Sequence, residues 1–161
     1  MYADDIDNDG ILELPSLITM RTGSNGARSQ KQYLIRWFAM DLQGNEVDKM
    51  FTFHDYASGW FLELEDTWAT QLWVSQEDGA WVFRIWDTET DTCEEVFRIF
   101  AFTGDSRDAS AVEHNRFVLH RTDSVVYAAK LEASSAAWGI TEEDLTNAFR
   151  LIIMDWQTGE T

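Results

Sequence analysis

The chain contains one cysteine, Cys93, so no intrachain disulfide can form. It contains one proline, Pro15, and no Pro-rich or Gly/Ser-rich linker that would split it into two large domains. Basic residues are scarce: 12 Lys and Arg stand against 29 Asp and Glu, for a net charge of −17. A field of that sign repels phosphate backbones and anionic membrane surfaces, which argues against a nucleic-acid partner and against direct membrane association. No apolar run is long enough to span a bilayer, and no leader or lipidation motif is present. The chain begins a few residues ahead of its first motif and ends at Gly159-Glu160-Thr161, so a fragment of a longer protein is expected.

Apolar residues, by contrast, make up 45% of the 161 positions, enough to bury a core without staples. The aromatic share is 14%, with eight tryptophans and ten phenylalanines, and aromatics favour pleated, half-buried surfaces. Strands are expected over Tyr33–Asp41, Asp48–His54, Trp60–Glu65 and Glu95–Phe102, with a turn near Glu65-Asp66-Thr67. Asp78-Gly79 is a two-residue type I′ signal inside Gln71–Trp86. That register pairs Val74 with Phe83 and Leu72 with Ile85 on one apolar face. The other face carries Trp73 opposite Arg84 and Gln71 opposite Trp86. A second hairpin is expected at Arg116–Arg121 and Ser124–Leu131, and a short helix over Asp105–Glu113. Thr141-x-x-Asp144 resembles a capping box ahead of a helix whose inner face carries Leu145, Ala148, Phe149 and Ile152, with Trp156 closing the core. Arg21–Gln30 reads as a loop or linker. Serial hairpins with few helices predict an α+β fold, mainly antiparallel sheet with a few packed helices.

The most specific chemical pattern is Asp5-Ile6-Asp7-Asn8-Asp9-Gly10-Ile11-Leu12-Glu13. Side-chain oxygens fall at Asp5, Asp7, Asp9 and Glu13, the Ile11 carbonyl can add another, and Gly10 permits the sharp turn. Calcium takes six to eight hard oxygen ligands, and this spacing wraps a chain around one ion. An EF-hand would place a bidentate Glu where Ser16 stands, so that reading fails. The arrangement instead resembles the β-hairpin calcium loops of FG-GAP and VCBS repeats. The segments Asp55–Leu64, Asp66-Thr67-Trp68, Phe102–Asp105, Asn115–Leu119 and Val126–Ala129 resemble the C-terminal domain that follows such repeats in bacterial surface lipoproteins. A strand followed by Trp68 also resembles an element of PsbP-like α/β/α domains, although Glu65 or Asp66 stands where proline is expected. The resemblance implies a repeat remnant over residues 1–20 and one α+β domain over 31–161. It implies an extracellular or cell-surface location, a structural Ca2+ at Asp5, Asp7, Asp9, Ile11 and Glu13, and upstream repeats of the same parent chain as partner.

Other candidates carry less. Cys93 has no neighbouring base, and a lone thiol beside a strand is more often packing than nucleophile. His54, His114 and His120 lack the spacing of a zinc site. His54 and Asp55 are adjacent on a strand and so point to opposite faces. Acidic residues are plentiful, but nothing ranks one pair as a hydrolytic dyad. The face with Trp73, Arg84 and Trp86 is expected to be core beneath the C-terminal helix, because so many aromatics need a dry place; a sugar-stacking platform is the alternative. The leading expectation is a non-enzymatic extracellular accessory or adhesion-type module with a glycan or protein partner. A carbohydrate-binding module and a carboxylate hydrolase are the alternatives.

Overall fold

The computed structural model describes residues 3–20 and 31–152. Among them the strands form two five-stranded antiparallel sheets. The first contains β1 (Leu14–Thr19), β2 (Tyr33–Met40), β3 (Glu46–Asp55), β4 (Trp60–Leu64) and β10 (Phe149–Leu151), in the order β1-β2-β3-β4-β10. The second contains β5 (Leu72–Glu77), β6 (Ala80–Asp87), β7 (Thr92–Thr103), β8 (Phe117–Arg121) and β9 (Val125–Leu131), in the order β5-β6-β7-β9-β8. Helices are short: α1 (Asp66–Ala69), α2 (Arg107–Ser110), a 3₁₀ segment (Ala133–Trp138) and α3 (Glu142–Ala148). The coarse α+β expectation therefore holds. The layering is sheet on sheet, whereas the PsbP-like α/β/α analogy would put helical layers around one sheet.

Alternation along the strands explains the pairing of layers. In β4, Trp60, Leu62 and Leu64 are buried while Phe61 and Glu63 are only partly so. In the β5–β6 hairpin, Val74 faces Phe83 and Leu72 faces Ile85, as the Asp78-Gly79 turn predicts. Both turn residues take positive φ, which the type I′ geometry requires. These inner faces merge into one core holding Phe53, Trp60 and Leu62 from the first sheet with Val74, Phe83 and Phe97 from the second. Phe53 meets Trp81 edge-on at 5.1 Å and Phe83 at 5.3 Å, so it locks sheet to sheet. Each such pair adds about 0.5–1.5 kcal/mol beyond burial.

Polar pins cross the same interface. Asp55, buried, accepts Trp81 Nε1–H at 2.7 Å and the backbone N–H groups of Ala57 and Ser58. Tyr127 Oη–H donates to the Ser58 carbonyl at 2.6 Å.

Some local expectations shift. The turn expected at Glu65–Thr67 continues into α1. The capping box of Thr141 and Asp144 is present, but α3 stops at Ala148. Phe149, expected on the helix face, is instead the first residue of β10 and pairs with Leu62 of β4. Its ring stacks on Trp60 at 5.5 Å, and the Ile152 N–H donates to the Gly59 carbonyl. An uncovered β4 edge offers both hydrogen bonds and an aromatic seat, which outweigh a further helical turn. Trp156 and the loop expected at Arg21–Gln30 lie outside the described residues. The division expected between residues 20 and 31 falls between β1 and β2, two strands that pair with each other.

Candidate metal site

The acidic loop starts and ends on one antiparallel bridge. Asp4 N–H donates to the Glu13 carbonyl at 3.1 Å, and Glu13 N–H to the Asp4 carbonyl at 2.8 Å. Between them the chain turns through Asn8 and Gly10, both at positive φ. Asn is among the few side chains that tolerate this region, and glycine does so freely. The turn aims backbone N–H groups inward at the carboxylates. Asp5 Oδ1 accepts from Asp9 N–H and Oδ2 from Gly10 N–H, both at 3.0 Å. Asp7 Oδ1 accepts from the Asp9 N–H at 3.1 Å, and Asp9 Oδ1 from the Ile11 N–H at 2.8 Å. These bonds hold the acids in place within the loop.

Three of the expected ligands converge. One carboxylate oxygen each from Asp5, Asp7 and Glu13 lies within 4.8 Å of the others. Glu13 has no solvent exposure, although it precedes an edge strand. Its Oε2 accepts the Ile6 N–H at 3.1 Å, and its Oε1 is buried without a hydrogen-bond partner. A buried carboxylate oxygen without a donor costs more than the ~1–3 kcal/mol of a neutral polar group, unless a cation or proton satisfies it. Asp9 stands apart. Its Oδ2 accepts from Lys49 Nζ at 2.7 Å, and the same ammonium lies 3.8 Å from Asp7 Oδ2. The Lys49 hydrogen bond, then that from Ile11, holds the Asp9 carboxyl below its ordinary range, while Asp9 raises the Lys49 pKa. Ile11 lies on the return limb with its side chain exposed, beside exposed Leu12 and Leu14.

The tryptophan face forms in the expected register but not as expected in detail. Arg84 lies opposite Trp73, with its guanidinium carbon 4.8 Å from the ring centroid, and donates to Ser75 Oγ and Glu77 Oε1. The Trp86 backbone N–H donates to the Gln71 carbonyl at 2.9 Å, in keeping with the expected pairing, and on its other side Trp86 stands opposite Cys93 of β7. Both tryptophans are half-buried, and both indole N–H groups are buried without an acceptor. A sugar hydroxyl therefore cannot reach those donors directly. The C-terminal helix does not cover this face, because α3 packs against β4 and β8.

Cys93 is partly buried, and burial pushes its thiol pKa up, away from nucleophilic reactivity. His114 and His120 are exposed. His54 stacks on Phe61 at 4.9 Å while Asp55 faces the other sheet, so the two do not form an acid/base pair.

One feature that sequence reading missed is a cleft of about 710 Å3 between β4, α1 and α3. Its wall includes Leu64, Trp68, Ile140 and Leu145, its rim carries Glu63 and Asp144, and Lys49 borders it. Burial raises the Glu63 pKa, opposed by Arg150 at 3.4 Å, whereas Asp144 is held ionised by the cap bonds from Thr141. No local spacing links these residues, which come from separate elements. Among the described residues, no helix is long and apolar enough to cross a membrane. No family model, curated protein or solved structure matches the chain.

Proposed function

We propose that the Asp5–Glu13 loop holds a structural Ca2+ and that the chain is a non-enzymatic extracellular module of the accessory or adhesion type. The observation that carries the metal reading is Glu13: fully buried, aimed at Asp5 and Asp7, with Oε1 unpartnered. Calcium suits this site because every donor is a hard oxygen. Asp5, Asp7 and Glu13 would bind first, with Asp9 and the Ile11 carbonyl completing the shell. An ion there would neutralise clustered carboxylates and stitch the loop to β1.

Calcium sites of extracellular modules fall in the weak class, with a Kd of about 10⁻⁴–10⁻³ M, and fill where calcium is abundant outside cells. The resemblance to surface-repeat loops supports the same setting, with neighbouring repeats of a parent chain as the structural partner. The cleft does not favour hydrolysis, since Asp144 is spent on the α3 cap.

Calorimetry tests the reading directly. Calcium should bind with one-to-one stoichiometry, and 10 mM calcium should stabilise the fold by about 1–3 kcal/mol, or several degrees in Tm. Asp7→Ala and Glu13→Gln should lose most of that gain. Absence of heat and an unmoved melt in calcium would remove the ion from the account.

A further inference from the structure

We infer that Lys49 is a built-in competitor for the calcium position, setting how much calcium is needed to fill the loop. The inference rests on the calcium reading above and concerns its regulation. Asp5, Asp7 and Glu13 already converge, but Asp9, one of the expected ligands, is engaged elsewhere. Its Oδ1 accepts from Ile11 N–H at 2.8 Å and its Oδ2 from Lys49 Nζ at 2.7 Å. Lys49 also reaches within 3.8 Å of Asp7 Oδ2, so its charge leans on two of the ligands at once. Glu13, which converges with Asp5 and Asp7, keeps Oε1 buried and without a hydrogen-bond partner.

The position of Lys49 is set by the sheet, not by the loop. It lies on β3, an inner strand of the first sheet, 40 residues from Asp9. Asp48, tied to Arg36, lies opposite Phe38 and Met50 lies opposite Trp37, so Lys49 is the unpaired extra residue of a β-bulge in this strand. Lysine is a point charge on a flexible stem, so it can hold a carboxylate in the absence of metal and swing away when a divalent ion arrives. It also has somewhere to go, because its side chain borders the cleft whose rim carries Glu63, Glu65 and Asp66. Filling the loop therefore requires exchange of one cation for another: Asp9 passes from Lys49 to calcium, and the ammonium turns toward the acidic rim.

Calcium has to displace the Lys49–Asp9 ion pair, whose charges lie 2.7 Å apart, so removing the ammonium should tighten calcium at least about fivefold, even with water-like screening. The experiment is calcium calorimetry and thermal melting of the full chain as wild type, Lys49→Met, Lys49→Gln and Lys130→Met. Lys130 lies on β9 in the second sheet and pairs with Glu132, so it controls for net charge alone. Both Lys49 variants should bind calcium at least about fivefold tighter, with Lys130→Met within about twofold of wild type. They should also melt lower than wild type in chelator yet gain more from calcium, two opposed shifts that a purely structural lysine would not give. Equal or weaker binding by the Lys49 variants, with wild type still binding, overturns the inference and leaves the calcium site standing. No binding by any of the four proteins overturns the calcium reading itself.

Discussion

His54 shows how a residue can be chemically suggestive and structurally committed. Its ring stacks on Phe61 and lies 5.2 Å from Tyr56, and its Nε2 is 2.9 Å from Thr52 Oγ1. Thr52 Oγ1 also accepts the Trp37 indole N–H at 2.8 Å. The arrangement that leaves fewest orphans has the Thr52 hydroxyl donating to Nε2, which puts the imidazole proton on Nδ1. Burial of the ring lowers the His54 pKa to about 4. The sign follows from linkage: below the ordinary value of 6.5 the unfolded chain takes a proton that the folded chain refuses. Stability should therefore fall as pH drops from about 6.5 toward about 4. Allowing for partial solvent screening, the loss is on the order of 1–2 kcal/mol. His54→Phe keeps the stacking and should flatten that part of the pH–stability profile. Urea melts of both proteins at pH 7.5 and pH 5 decide it, and parallel losses in the two would discount the histidine.

At the scale of elements, the β5–β6 hairpin was fully legible, because Asp78-Gly79 sets the register and alternation sets the faces. The capping box was legible for the same reason: Thr141 and Asp144 act within one turn. The end of α3 was not, because Phe149 answers to Leu62 and Trp60, residues far away in sequence. The loop divides in the same way. The spacing of its acids is local and could be read, but the burial of Glu13 and the grip of Lys49 on Asp9 depend on the sheet beneath. This distinction can be measured. Phe149→Ala should cost about 3–5 kcal/mol, since it removes a buried ring and loosens β10. Thr141→Ala should cost about 1 kcal/mol, the value of one helix cap. Denaturant unfolding that ranks the two the other way round would mean that α3, not β10, anchors the C-terminal segment.

For the molecule as a whole, antiparallel β structure could be read from aromatic content and turns, but not its division into two facing sheets. Pairings such as Phe53 with Phe83 have no signature in local periodicity. The Asp4–Glu13 bridge carries a consequence of another kind, a mechanical one. Its two ends leave side by side, so tension applied at the N-terminus peels the bridge open one hydrogen bond at a time instead of shearing a whole strand. Straightening the loop would release about 30 Å of chain at the ~3.3–3.6 Å per residue of extended backbone. An ion inside the loop has to be torn from its ligands in the same event. Optical-tweezer pulling from the N-terminus should show a first small extension of that size, at a force that rises in calcium and returns in chelator. A yield force indifferent to calcium would mean that the loop bears no load. With an ion bound, such a loop would act under tension as a fuse whose rating follows the ion content of the surrounding fluid.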